Sequence, residues 1–368
     1  MYTTNHAIAP LSIILSLASL TCIAVEPATF KEHVLADDLT SGYQVEVSDV
    51  NRDGMPDLIA VDSRAEDLVW FEGPNWERHV LSSGMTRMIY MGVCDGHYVV
   101  AQKFSNRVKD SIGEIVVINE DGTKNVIDKI PTSHRIRCAD IDGSGNKVVI
   151  NAPLTGLDAL APDYRDNVPL VYYKPGDWQR QVIGDENEGV MHGIYIYDWD
   201  GNGRDDVMTA SFSGIHVYSF ENGWQRTEIT RGNPGDWPLV GSSDLAVGHA
   251  GSRYVASIEP FHGNQVAVYQ DDKRLVIDDT INQGHTITTA DLNNDGHDEI
   301  IAGDRGEAQS VFVYYREGDG WIKTILDDGD MSAATCISAD LNNDGLKDIA
   351  CIGRTTENLK WYENLGVE

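Results

Sequence analysis

Three histidines occupy one repeated position in the sequence. His134, His192 and His285 each stand six residues before an aspartate that opens an Asp/Asn-rich segment. The same position in the other copies of the repeat holds Tyr43, Thr86, Ser242 and Ala334. If the copies converge, three neutral imidazoles could form an open site for zinc or a similar divalent ion, with a position left for water or substrate. The alternative is three separate histidines, each hydrogen-bonded to neighbours or to water.

Other polar residues near these histidines could act on a substrate or bind it. His262 lies within residues 258–265 and could serve as a general base, as a further metal ligand, or only as a turn residue. Residues 151–169 form the longest insertion, which could build a substrate wall. The predicted catalytic residues are His262, Glu259, Tyr164 and Arg135. The predicted substrate-binding residues are Tyr43, Arg137, Arg165 and Asn264.

Four segments, residues 49–57, 198–206, 291–299 and 340–348, follow the pattern Asp-x-Asn-x-Asp-Gly-x-x-Asp or a close variant. Their carboxylate and amide oxygens can surround a hard cation, which predicts calcium. An EF-hand is excluded because its last ligand position falls in a predicted strand, at Ala302 and Cys351. The alternative is a turn held by side-chain hydrogen bonds with little metal. The candidate ligands are Asp49, Asn51, Asp53, Asp57, Asp198, Asp200, Asn202, Asp206, Asp291, Asn293, Asp295, Glu299, Asp340, Asn342, Asp344 and Asp348.

These segments belong to a repeat that defines the fold. Counting a degraded copy from Asp140 and two copies without carboxylates, residues 92–99 and 248–255, the hairpins recur every 43 to 58 residues. That period is typical of propeller blades. Alternating aromatic strands, such as residues 68–72 and 359–363, recur once per blade, and a short outer strand follows each of them except the last.

The missing outer strand of the last blade has a counterpart at the other end of the chain. Residues 30–35 resemble an outer strand but precede the first Asp-rich segment. A strand from the N-terminus that completes the last blade would close the ring and leave only short, protected edges. The sequence therefore predicts an all-β fold, a seven-bladed β-propeller with an N-terminal strand closing the last blade.

Composition limits the partners and the location. The chain has 28 basic and 58 acidic residues and a net charge of -30, which would repel nucleic acid and anionic membranes. Residues 8–24 form an uncharged apolar run that ends in a small-residue cleavage site, typical of a secretory signal. We therefore expect a signal peptide at residues 1–24, a propeller at 25–368, and a secreted or periplasmic protein without membrane insertion after cleavage; the alternatives are a retained anchor or a misassigned start.

Four cysteines remain after the predicted cleavage, with no CxxC pair among them. They are Cys94, Cys138, Cys336 and Cys351. We expect them to be small buried residues within strands, and a disulfide between Cys336 and Cys351 is the alternative.

The chain resembles the propeller domain of the aldos-2-ulose dehydratase, or 1,5-anhydrofructose dehydratase, family, which is built from FG-GAP/VCBS-type repeats. The resemblance rests on residues 133–140, 152–156, 192–206, 209–216, 258–265, 284–299 and 358–364. It implies a sugar dehydratase with zinc at the base of the propeller cleft. It also implies that the metal polarises the ketone of a keto-sugar, so that a base can remove the acidified proton and a β-oxygen can leave.

Three functions remain open from the sequence. The first is a zinc-dependent carbon–oxygen lyase of the hydro-lyase type, acting on a small sugar or oligosaccharide. The second is a metal-independent polysaccharide lyase or glycosidase on uronate-containing glycans, for which Arg135, Arg137 and Arg165 could supply positive charge. The third is a noncatalytic, calcium-stabilised propeller that binds glycan or protein.

Overall fold

The computed structural model describes residue 1, residues 25–119 and residues 121–367, so the predicted signal segment lies almost wholly outside the described residues. The described chain forms seven four-stranded antiparallel sheets. The first strands of neighbouring sheets contact one another in a closed ring. This arrangement confirms the predicted seven-bladed propeller.

The strands follow one another blade by blade, with one short 3-10 helix, Val108–Asp110, in the described part. The N-terminal strand is β1 (Phe30–Ala36). Blades one to three are β2 (Gly42–Ser48), β3 (Asp57–Asp62), β4 (Leu68–Glu72), β5 (Glu77–Ser82); β6 (Tyr90–Cys94), β7 (His97–Gln102), β8 (Glu114–Ile118), β9 (Lys124–Lys129); β10 (Ser133–Ala139), β11 (Val148–Pro153), β12 (Asn167–Tyr173), β13 (Gln181–Asn187). Blades four and five are β14 (Met191–Tyr197), β15 (Asp206–Ser211), β16 (Gly214–Phe220), β17 (Trp224–Thr230); β18 (Asp244–Ala250), β19 (Ser252–Glu259), β20 (Gln265–Gln270), β21 (Lys273–Asp278). Blades six and seven are β22 (Gly284–Ala290), β23 (Glu299–Asp304), β24 (Val311–Glu317), β25 (Gly320–Asp327); β26 (Ala333–Ala339), β27 (Asp348–Gly353), β28 (Leu359–Asn364).

In most blades the second strand is the most buried element. Every residue of β3, β11, β15, β23 and β27 is buried, because the adjacent blades cover both faces of the sheet. These strands accordingly read as near-continuous apolar runs, whereas the outer strand β1 mixes polar with apolar residues and buries only Ala36 fully. Removing this apolar surface from water holds the blades together.

The ring closes as the sequence predicted. β1 pairs antiparallel with β28, from Phe30 opposite Asn364 to Ala36 opposite Leu359. A buried lysine on β28 ties the closing strand to its neighbours: Lys360 Nζ lies 2.8 Å from an oxygen of Asp327 and 3.2 Å from one of Glu32.

The four cysteines form two disulfides, so the expectation of free buried thiols is wrong. Cys336 and Cys351 lie opposite each other on β26 and β27 and are bonded, which is the alternative that the sequence left open. The bond between Cys94 and Cys138 was not foreseen and joins β6 to β10, and so blade two to blade three.

No helix in the described part of the chain has the length and apolar character needed to cross a membrane.

Candidate functional site

Five blades share a β-bulge at the start of the inner strand. The antiparallel register between the first and second strands skips one residue in each of these blades. The skipped residues are Tyr43, His134, His192, His285 and Ala334. A bulge re-aims the side chain of the extra residue, and the tyrosine and three histidines meet as a result at one end of the channel. The repeated position singled out in the sequence is therefore a repeated backbone feature.

His262 reaches the same cluster from a turn between β19 and β20. The N–H of Gly263 donates to the carbonyl of Pro260 at 2.8 Å. A Cβ at residue 263 would lie 2.2 Å from the Glu259 carbonyl oxygen, so this close approach requires glycine. The turn holds His262 at a φ of 46°, with its ring stacked on Phe261 at a centroid distance of 3.9 Å.

Three of these histidines are arranged as a metal site. One ring nitrogen each from His192, His262 and His285 lies within 4.8 Å of the others. A tetrahedral zinc ion with bonds of about 2.05 Å separates its ligand nitrogens by about 3.3 Å. That edge matches the 3.3 Å between the Nε2 atoms of His192 and His262. The residues present therefore fit zinc.

Hydrogen bonds orient two of the rings for this role. Nδ1 of His192 lies 3.1 Å from the carbonyl oxygen of Ser243, and Nδ1 of His285 lies 2.6 Å from the carbonyl oxygen of Ala334. A carbonyl can only accept, so each Nδ1 carries the proton and each Nε2 keeps its lone pair. Such a second hydrogen bond is the usual support of a metal-binding histidine.

The electrostatic surroundings keep the cluster neutral. Burial lowers the pKa of His134, His192, His262 and His285 well below 6.5. The positive charge of Arg135 lowers all four pKa values further, and that of Arg305 adds to the effect at His134, His262 and His285. At neutral pH all four rings are therefore uncharged imidazoles, the form that binds a metal or accepts a proton.

His134 has a different place from the one predicted. Its Nε2 lies 2.8 Å from the Tyr43 hydroxyl oxygen, and that oxygen lies 3.3 Å from Nε2 of His285. The structure thus groups His262, rather than His134, with the two other predicted zinc ligands. His134 and Tyr43 form an acid–base pair beside the three-histidine cluster.

His192 and His262, together with Tyr43 and His134, line a cavity of about 540 Å³, within the usual size range of small-molecule sites. His285 is fully buried and is not part of this lining. We call this space the histidine cavity. Phe104, Tyr164 and Phe261 contribute aromatic walls, and the predicted insertion residue Tyr164 thus lies beside the histidines. Four arginines also line it: Arg64, Arg87, Arg305 and Arg354.

The structure places Glu259 outside this cavity. Its carboxylate is fully buried and lies 2.7 Å from the guanidinium of Arg274. It also accepts hydrogen bonds from the hydroxyls of Tyr269 at 2.6 Å and Ser242 at 3.2 Å. Since these partners hold the carboxylate between strands, Glu259 stabilises blade five and does not reach a substrate in the histidine cavity.

The three arginines proposed from the sequence also lie elsewhere. Arg135 donates to the His192 carbonyl at 2.6 Å and so lies behind that histidine. Arg135 and Arg137 line a separate cavity of about 400 Å³, bordered by the inner strands, where both guanidinium groups stack on Tyr90. Arg165 covers the ring of Trp237 at 4.3 Å.

The predicted substrate-binding residue Asn264 is directed away from the cluster. Its amide donates to the carbonyl of Asp279 at 3.1 Å, and it does not line the histidine cavity. Among the predicted substrate-binding residues, only Tyr43 lies in that cavity.

Two of the cavity arginines carry a signal that sequence reasoning missed. Arg305 and Arg354 each follow the last residue of the second strand, in blades six and seven. They stand at the same distance from the hairpin acids Glu299 and Asp348. A comparison of second-strand ends, made like that of first-strand starts, would have found them.

The Asp-rich hairpins form one shared turn. In the loop from Asp198, the N–H groups of Asn202 and Gly203 donate to its two carboxylate oxygens at 3.0 and 2.8 Å, and the other three loops repeat these bonds. The carboxylates of Asp198, Asp200 and Asp206 lie within 4.8 Å of one another. These oxygens fit calcium.

The blade-six hairpin contains an unsatisfied carboxylate. Oε1 of Glu299 is buried without a hydrogen-bond partner. Burial, together with the negative charges of Asp295, Asp291 and Asp298, raises the pKa of Glu299 to about 8. A bound cation would satisfy this oxygen and remove the cost of its burial, so this loop also fits calcium.

The fold and site define a propeller with a histidine cluster in its channel, and sequence comparison points to one family. The model of the beta-propeller domain of aldos-2-ulose dehydratase matches residues 113–272, and that of the FG-GAP-like repeat matches residues 291–351. Aldos-2-ulose dehydratase from Phanerodontia chrysosporium is 26% identical over 220 residues. That match covers 50% of this chain and 24% of the relative, so the chain spans about a quarter of that protein's length.

These findings confirm the resemblance to the aldos-2-ulose dehydratase propeller domain. The longer matched segment contains His134, His192 and His262, whereas His285 lies outside it. Solved structures add the fold alone. The WD40 propeller domain of Doa1 has a TM-score of 0.57 at 13% identity, covering 90% of this chain and 97% of that one. BBS1N in complex with ARL6DN has a TM-score of 0.57 at 11% identity, covering 93% and 99%.

Proposed function

We propose that this protein is a carbon–oxygen lyase that eliminates water or an alkoxide from a keto-sugar with the help of a bound zinc ion. The observation that carries the proposal is the convergence of the His192, His262 and His285 nitrogens within 4.8 Å of one another, with His192 and His262 lining a cavity of about 540 Å³. The match to the propeller domain of a protein named for dehydrating an aldos-2-ulose supports the substrate class.

The chain's own residues supply ligands and proton transfer. Zinc held by the three histidines would supply the Lewis acidity that polarises a ketone and acidifies the adjacent C–H. Burial keeps His134 neutral and raises the pKa of Tyr43, so the pair enters the reaction with one acceptor nitrogen and one hydroxyl proton. It can take up the α-proton and return a proton to the leaving oxygen. The elimination then needs no other acid or base.

The remaining expectations belong to the same proposal. We assign calcium to the hairpin loops, with Asp198, Asp200 and Asp206 as one ligand set and Asp291, Asp295 and Glu299 in another. We also propose export from the cytoplasm. The two disulfides support it, because such bonds persist mainly in oxidising compartments.

Zinc content and elimination should be measured together on the full chain. Wild type is expected to hold about one zinc ion per channel site and to convert 1,5-anhydrofructose or an aldos-2-ulose into a conjugated carbonyl product that absorbs in the ultraviolet. His192→Ala should lose both properties, and the control His249→Ala, at an exposed histidine of blade five, should keep both.

Two outcomes would overturn the proposal. One is full activity in His192→Ala or in chelator-treated, zinc-free wild type. The other is cleavage of a uronate polymer that is indifferent to zinc, which would instead establish a metal-independent polysaccharide lyase.

A further inference from the structure

The histidine cavity is positively charged in a strongly acidic protein. The chain has 58 acidic and 28 basic residues. Nevertheless, among the described residues that line the cavity there are four arginines and no aspartate or glutamate. The carboxylates that are abundant elsewhere in the chain are therefore absent from this lining. The cavity is therefore suited to an anion.

The arginines of the cavity lack the carboxylate partners that other arginines have. Arg180, Arg226 and Arg274 each lie within 2.7 Å of an Asp or Glu oxygen. In the described part of the chain, by contrast, no carboxylate lies within ion-pair distance of Arg305 or Arg354. The guanidinium of Arg305 instead lies 3.5 Å from Nδ1 of His262.

Arg305 is half-buried, so its unpaired charge is costly. An arginine side chain stays protonated at neutral pH, so Arg305 keeps its positive charge in the cavity. An unpaired cation removed from water lowers stability unless an anion compensates it. A ligand anion would provide that compensation, and the guanidinium fork matches the geometry of oxyanions.

The position of these arginines shows how a ligand would lie. Arg64, Arg305 and Arg354 line both the histidine cavity and an adjoining groove of about 290 Å³. Arg305 also contacts His262, a member of the metal cluster. A molecule that reaches the histidines therefore passes directly beside the guanidinium groups.

We propose that the preferred substrate is a sugar that carries an oxyanion, which Arg305 and Arg354 bind while the reacting end of the sugar lies at His192 and His262. A neutral keto-sugar would bind at the histidines without using the arginines. The reacting end rests on the proposed function, whereas the anion subsite rests on the arginines alone. A carboxylate, a sulfate ester and a phosphate ester share the required chemistry.

Binding can be tested without turnover. Isothermal titration of the zinc-loaded protein would compare D-glucuronate, glucose 6-sulfate and glucose 6-phosphate with D-glucose. At least one of the anionic sugars should bind 10-fold or more tightly than glucose, since a single charge-assisted hydrogen bond changes affinity by about tenfold or more. The preferred probe identifies which oxyanion the subsite takes.

Variants then assign the subsite. Arg305→Gln and Arg354→Gln should each weaken the preferred anionic probe about 10-fold and leave glucose unaffected. Arg231→Gln removes the same charge from an arginine whose side chain is 85% exposed and should change nothing. Melting curves show whether each variant folds; we expect no loss for Arg305→Gln, which removes an unpaired charge.

The proposal is overturned if no anionic sugar binds better than glucose, or if both arginine variants bind the preferred anion like wild type. Because no bond is broken in this experiment, a lyase that fails on keto-sugars would leave the anion subsite standing. Conversely, an active keto-sugar lyase that binds glucose and glucuronate equally would lose only the subsite.

Discussion

Replacing single channel histidines should separate the zinc ligands from their neighbours. Sequence spacing selects His134, His192 and His285, whereas the structure brings the nitrogens of His192, His262 and His285 within 4.8 Å. Thus His262→Ala and His134→Ala have opposite expected effects on zinc. The first removes a ligand, and the second removes a hydrogen-bond partner of Tyr43.

The expected magnitudes follow from the number of ligands. Structural sites with four protein ligands bind zinc with roughly 10–16 kcal/mol in total, which amounts to about 3 kcal/mol for each ligand. His262→Ala should therefore weaken zinc binding by about 10²-fold. His134 reaches the ligand His285 only through the Tyr43 hydroxyl, at 2.8 and 3.3 Å, so His134→Ala should weaken it by about 10-fold or less.

Competition with a chromophoric zinc chelator measures both affinities, and circular dichroism checks that each variant is folded. Equal losses of affinity in the two variants would refute the three-histidine assignment in favour of a four-histidine site. A large loss in His134→Ala with wild-type affinity in His262→Ala would restore the set predicted from spacing. Activity adds a second distinction, since His134→Ala should bind zinc and yet be slow in elimination.

Three further predictions concern the scaffold. Burial alone would lower the pKa of Lys360, but its hydrogen bonds with Asp327 and Asp330 raise it to about 12, from an ordinary 10.5. This difference corresponds to roughly 2 kcal/mol, so Lys360→Met should lower the free energy of urea unfolding by about that amount. An unchanged value would show that ring closure does not depend on this charge. Calcium should raise the melting temperature of wild type and raise that of Asp200→Ala by less, whereas indifference of both to calcium would establish hydrogen-bonded turns. Burial alone would raise the pKa of Asp128, but hydrogen bonds from Arg180 and Tyr173 hold it below 3.8. The stabilisation from this carboxylate is therefore present above its unfolded-state pKa and lost as the pH falls through its folded-state pKa. Asp128→Asn should accordingly flatten the pH dependence of the unfolding free energy between about pH 5 and 2, and an unaltered profile would contradict this role.

The fold was predictable because each blade repeats the same local signals. The hairpin acids mark the end of every inner strand that carries them, and residues 30–35 carry the outer-strand pattern that pairs with β28. The disulfide between Cys94 and Cys138 was not predictable in this way. It joins two blades, and a repeat pattern within one blade contains no information on which residues of neighbouring blades lie opposite each other.

The site was predictable only where it obeys the repeat. His134, His192 and His285 share a bulge position, so equal spacing from the hairpin acids found them. His262 lies in the loop that follows β19, the second strand of blade five. A turn around Gly263, and not the strand register, decides the direction of its side chain. Glu259 was predicted to be catalytic because it is close in sequence to His262. Its side chain is instead directed into the blade, where it pairs with Arg274.

The separation of charges along each blade explains how an acidic protein can keep a basic cavity. The bulge residue and the hairpin aspartate of an inner strand are six residues apart, which is about 20 Å of extended chain. Because the second strand runs back antiparallel, Arg305 and Arg354 come at the bulge end, and the acidic hairpins lie at the opposite end. Solvent-exposed charges are screened beyond about 8 Å at physiological salt, so the hairpin carboxylates neither neutralise the arginines nor repel an anion at the histidines. The two ends of the propeller can therefore bind ligands of opposite charge, cations at the hairpins and an anionic sugar at the channel histidines.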